Sequence, residues 1–277
     1  VKNLKKRAFF RLFSKMINTK LIHLLKTFSK QEVKKFKDFV NSPYFNKSVL
    51  TMKLSDELMT YYPKFNSEDF TEEIIFKKLF KDENYNYFKL KNVISDLYQL
   101  AVLFLKETAI EKKNIENEII LLNELHERKL DTVYQQREKL VYKQLEDYSI
   151  KDEFYFQKMY ELARVNTFHY KFIKTGYAFD LIQNEFDIFL QYSIIVLLRN
   201  YSKMLTNKNH GNIDFNLGMF DHVWEYVKDK DFNNNPSIKI YKQLITLEIS
   251  KDEKDYRTLL SVKDRFGENL SKEDIYY

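Results

Sequence analysis

Leu90, Val93, Ile94, Leu97, Tyr98, Ala101, Val102 and Leu105 recur at spacings of three and four, an apolar stripe that an α-helix places on one face. The same period predicts a basic amphipathic helix over residues 4–17, with Leu4, Ala8, Phe9, Leu12, Phe13, Met16 and Ile17 on one broad side. A short helix over 21–28 follows. Ser29-Lys-Gln-Glu32 then reads as a capping box: the serine oxygen accepts from the Glu32 amide, and the glutamate accepts from the serine amide. The helix it opens turns Val33, Phe36, Phe39 and Val40 inward and stops at Ser42-Pro43, because proline excludes the helical conformation from the residue before it. Tyr44, Phe45 and Asn46 make the turn. Ser48 or Asn46 caps the next helix, through Leu50, Leu54, Leu58 and Tyr61 to Pro63. Another helix starts after Ser67 to Thr71 and runs to about Phe80. Beyond Leu105 a break is expected near Lys112 to Asn114; the alternative is a helix continuing toward Arg128, about 60 Å long.

The rest of the chain reads as successive helices. Polar joints are expected at Asp131-Thr132, Ser149 to Asp152, Thr175-Gly176, Asn207 to Asn212, Asp231 to Pro236, Ser250 to Glu253 and Gly267 to Ser271. Four glycines and three prolines punctuate 277 residues, and Pro63 is followed by neither until Gly176. Hairpins and βα units need more turn residues than that, so the fold class is all-α. Helix pairs repeated along a chain build α-solenoids, although the spacing here does not match the tetratricopeptide period. The expected organisation is a basic amphipathic extension over 1–20, a compact helical domain over 21–110, and an irregular, α-solenoid-like array of helix pairs over 111–277. The Val1 start, and a helix-opening Ser271 to Asp274 so close to Tyr277, lead to the expectation of a longer natural protein.

The chain has no cysteine, which removes disulfides and thiolate chemistry and points to a reducing, cytoplasmic setting. Its abundant Phe and Tyr accompany abundant Lys, Asn and Ile, the set that an AT-rich genome over-produces. The longest apolar run, Ile188 to Leu198, is too short to span a bilayer, so it is expected to be a helix buried on most sides and not a transmembrane segment. Charge is uneven. Residues 1–53 hold 14 Lys or Arg against Glu32 and Asp38 alone, whereas acidic residues outnumber basic ones in the remainder.

Most catalytic chemistry lacks its residues. The glycines at 176, 211, 218 and 267 form no phosphate-cradling loop. His23, His126, His169, His210 and His222 fall in no HxxxH, HExxH or Glu-x-x-His pattern, so no metal or cofactor is expected. Glu124 and Arg128 read as a surface ion pair, and Trp224 as a core anchor beside Phe220, Val223 and Val227. The basic head is the one feature with functional pull. Lys5, Lys6, Arg7, Arg11, Lys15, Lys34, Lys35 and Lys37 are candidate contacts for a nucleic-acid backbone, with a membrane surface, a partner contact or a solvated face as competing readings.

The stretch Leu24-Leu-Lys-Thr-Phe-Ser-Lys-Gln-Glu32, with Phe36-Lys-Asp-Phe39 and Ser42-Pro-Tyr-Phe-Asn46, resembles the N-terminal region of a group of uncharacterised bacterial all-helical proteins. Tyr61 to Phe65, Ile75 to Phe80 and Val93 to Leu97 are similar to the same pattern, which spans roughly residues 21–107. The resemblance implies a bacterial, helical protein and carries no catalytic residue. The expectation is a non-enzymatic scaffold or adaptor that holds a protein partner. The alternative is a nucleic-acid-associated or regulatory protein acting through residues 1–53.

Overall fold

The computed structural model describes residues 19–173, 179–211, 213–232 and 235–276; the helix expected over 4–17 and the joint at Thr175-Gly176 lie outside them. Every regular element among the described residues is helical. They fall into two compact units that meet in sequence at Lys112 and Lys113.

The first unit is built around its longest helix. Helices α1 (Lys20–Leu25), α2 (Lys30–Asn41), α3 (Val49–Met59) and α4 (Glu72–Leu79) all pack against α5 (Tyr87–Glu111). The helix starts are written in side chains: Thr19, Ser29, Ser48, Thr71 and Asn86 each accept a hydrogen bond from a first-turn amide. At Ser29 the box is reciprocal, with Glu32 Oε2 accepting from the Ser29 amide at 2.7 Å. That bond holds the Glu32 carboxyl below its ordinary pKa. Asn46 does not cap α3. It is buried in the turn, where Nδ2 donates to the Val40 carbonyl at 2.9 Å and Oδ1 accepts from the Ser48 amide at 2.9 Å.

The α5 stripe enters the core along a different line from the expected one at its end. Leu90, Val93, Leu97 and Ala101 are buried, but the last contact is Phe104, while Val102 and Leu105 are exposed. Small Ala101 leaves room for a ring one turn on, and Phe104 meets Phe28, Phe36 and Phe39 at centroid distances of 5.4, 5.3 and 5.6 Å.

The second unit comprises α6 (Asn114–Glu127), α7 (Asp131–Glu146), α8 (Glu153–Ile173), α9 (Phe179–Gly211), α10 (Phe220–Val227), α11 (Pro236–Ser250), α12 (Glu253–Phe266) and, after one 3₁₀ turn, α13 (Lys272–Tyr276). One core lies among α6, α7 and α8 around Leu122, Tyr134, Val141, Leu145 and Leu162. A second is built mainly from α9, α10 and α11 around Ile195, Leu198, Val227, Ile238, Tyr241 and Ile245. Buried Lys158 ties α8 to α6, with Nζ 2.9 Å from Glu161 and 3.7 Å from Glu116. Trp224 is half-buried at the edge of the second core, stacked on Phe220, and is not its anchor.

Two of these helices end on a left-handed lysine in place of glycine. Lys129 (φ 57°) and Lys251 (φ 56°) take the left-handed conformation after α6 and α11. The amides of Lys129 and Leu130 return to the carbonyls of His126 and Leu125, a Schellman pattern with lysine where glycine is usual. The joint expected at Asn207 to Asn212 is later than its sequence suggests: α9 runs on to Gly211, with Asn207 Nδ2 bonded to the Lys203 carbonyl one turn back.

Candidate protein-interaction surface

Helix α9 is apolar on more of its circumference than its neighbours cover. Leu181, Ile188, Tyr192 and Ile195 recur at helical spacing and lie on the packed side, where Ile188 and Ile195 are buried. Two contacts set α8 alongside it. The Tyr160 ring lies 5.1 Å from that of Phe189, and Thr167 Oγ1 donates to the Leu181 carbonyl. Further along, Ile194, Leu198 and Tyr201 enter the second core.

The first three turns carry a second apolar set that is largely exposed, although Phe189 at its end also meets the Tyr160 ring of α8. Phe179 is 67% exposed, Ile182 53%, Phe186 54% and Phe189 42%. Exposed large apolar side chains scattered singly are normal, but four in register on one helix make a contiguous face. At 100° per residue the four occupy an arc of about 80°, with Asp180 and Asp187 to one side and Glu185 to the other. Asp187 accepts from Gln183 Nε2 at 2.8 Å. Three of the four precede Ile188 to Leu198; within that run Ile188, Ile194, Ile195 and Leu198 are buried and only Phe189 is exposed. Sequence reasoning missed this face although its signal, the 3-4-3 spacing of Phe179, Ile182, Phe186 and Phe189, was present.

Among the described residues α9 is also the helix long and apolar enough to cross a membrane. Of its most apolar 18-residue stretch 22% is buried, and further along Arg199 pairs with Glu153 of α8.

Of the candidate basic residues, Lys5, Lys6, Arg7, Arg11 and Lys15 lie outside the described residues. Lys34, Lys35 and Lys37 are exposed on α2. Lys35 Nζ lies 3.1 Å from Glu111 and Lys37 Nζ 3.0 Å from Asp56, so two of the three face carboxylates. Both pairs are solvent-exposed and hold their cations weakly.

Two polar clusters lie inside the second unit. Asp274, itself buried, accepts from Ser237 Oγ at 2.9 Å and Tyr241 Oη at 2.7 Å. It also exchanges hydrogen bonds with Ser271 that open α13. Beside it is a cleft of about 180 Å³ lined by Asp152, Glu153, Gln157 and Arg199. Burial, with Asp274 adding repulsion, raises the Asp152 carboxyl above its ordinary pKa, although the Tyr155 amide bonded to it pulls the other way. The hydrogen bonds of Asp274 join α13 to α11.

The second cluster pairs His126 with His169, Nδ1 to Nδ1, at 3.0 Å. His169 is buried and stacks on Tyr134 at 3.5 Å, while Tyr134 Oη donates to Asn166, which donates to Tyr142. Glu124 and Arg128 form the expected surface pair at 2.6 Å. No group of three or more His, Asp or Glu among the described residues is placed to hold a metal ion.

Compared with protein-family models, curated proteins and solved structures, the chain has no significant match.

Proposed function

We propose that the protein is a non-enzymatic helical scaffold or adaptor that holds a protein partner, and that the outward face of α9 is where it does so. The observation that carries this reading is the aligned exposure of Phe179, Ile182, Phe186 and Phe189. Such a face costs free energy in water, about 25 cal/mol per Å² left uncovered, which a partner helix recovers on docking. The succession of helices favours an irregular solenoid-like array. In the second unit α6 packs on α7 and α8, α8 on α9, α9 on α11 and α11 on α12, so the principal partners of each helix are close in sequence.

A photo-reactive amino acid at position 186, compared with one at solvated position 147, tests the reading. The expected result is a discrete protein adduct at 186 and none at 147. Equal adducts at both positions, or none at either, would remove α9 as the docking face. The alternative reading, nucleic-acid association through residues 1–53, draws on the excess of lysine and arginine there. It predicts binding that weakens steeply with salt, and an absence of binding at about 0.1 M salt dismisses it.

A further inference from the structure

We infer that the α9 face between Phe179 and Phe189 takes a basic amphipathic helix of a partner protein. This rests on the interaction reading above and adds the chemistry of what binds. The apolar set spans three turns, about 15 Å, which suits the i, i+3, i+7 anchors of a helix laid alongside. Charge selects among amphipathic helices. Asp180, Glu185 and Asp187 flank the face on both sides, and α9 has no Lys or Arg from Phe179 to Leu198. An apolar strip between carboxylates attracts a helix whose own strip lies between cations and repels one bordered by acids. The same rim disfavours an anionic bilayer. It also disfavours a second copy docked face to face, which would set carboxylates against carboxylates. The exposed cations nearby in sequence, Arg164 and Lys171, belong to α8, and the experiment weighs them against the three carboxylates.

The test titrates the full chain into labelled synthetic peptides of about five helical turns and follows anisotropy. One peptide carries a Leu/Phe face with a lysine polar face, a second replaces lysine with glutamate, and a third scrambles the first. Anionic vesicles form a separate arm. The lysine peptide is expected to bind, with the scrambled and glutamate peptides weaker by about tenfold or more. Neutralising the rim in the triple variant Asp180→Asn, Glu185→Gln, Asp187→Asn is expected to weaken the lysine peptide about tenfold and flatten its salt dependence. Phe186→Asp is expected to abolish binding.

The inference is overturned if lysine and glutamate peptides bind alike, if the rim variant binds like the parent, or if only vesicles bind. Binding of the glutamate peptide alone, lost in Phe186→Asp, overturns the charge assignment while leaving α9 an interaction face. No peptide binding together with no adduct at position 186 removes both.

Discussion

His126 and His169 meet across α6 and α8 with Nδ1 facing Nδ1 at 3.0 Å, a contact that two neutral rings satisfy and two imidazolium rings cannot. Burial lowers the His169 pKa, the charge of His126 lowers it further, and Asp131 opposes both. Tyr134 and Tyr170 also contact the His169 ring, and Phe168 contacts that of His126.

The sign of the pH dependence follows. The unfolded chain protonates its histidines near pH 6.5, whereas folded His169 resists until lower pH, so in that window the unfolded state binds more protons. The contribution of His169 to stability is complete above about pH 6.5 and falls as pH drops toward the lowered value. Thermal unfolding between pH 7.5 and 5 is expected to show this loss. His169→Phe, which keeps the stack on Tyr134, is expected to flatten it. Parallel loss in parent and variant would contradict the assignment.

Asp274 of α13 accepts hydrogen bonds from Ser237 and Tyr241 of α11. Asp274→Ala leaves two buried hydroxyls without their acceptor and is expected to cost about 3 kcal/mol. Asp274→Asn, which keeps an acceptor oxygen, is expected to cost about half as much. Denaturant melts of both variants check the order, and equal costs would show that the charge alone matters.

Lys129 has a φ that favours glycine. Removing its Cβ relieves about 1 kcal/mol of left-handed strain, offset in part by the greater freedom of glycine in the unfolded chain. Lys129→Gly is therefore expected to gain about 0.5 kcal/mol and Lys129→Ala nothing. A loss of stability in the glycine variant would mean that the lysine side chain contributes more than the strain removes.

In the first unit Phe104 and Leu105 are neighbours with opposite fates. Phe104→Ala empties a site lined by three other rings and is expected to cost about 3–5 kcal/mol, whereas Leu105→Ala is expected to cost under about 1 kcal/mol. Chemical denaturation of the full chain separates them, and comparable losses would contradict the placement of the core.

Local chemistry explains why some of this is legible in the sequence. The Ser29 box, the stop at Pro43 and the cap at Ser48 involve residues within a few positions of one another, so spacing reveals them. The Phe104 contact was not legible, because over 25 residues an i+3/i+4 pattern admits two adjacent stripes and the partner rings decide between them. Lys129 and Lys251 carry no glycine signal, so the ends of α6 and α11 had to be inferred from polarity. His126 and His169 are 43 residues apart, and only the packing of α6 on α8 brings them together. On α9 the apolar residues extend around the helix, and hydropathy alone does not say which side its neighbours leave uncovered.

The most direct test of the interaction reading compares Phe186→Asp with the parent chain in two measurements, thermal unfolding and adduct yield from a photo-reactive residue at position 182. If the α9 face serves a partner, the variant melts within about 0.5 kcal/mol of the parent and the adduct disappears. A large drop in melting temperature with the adduct retained would show that Phe186 supports this protein's own fold and that the partner binds elsewhere.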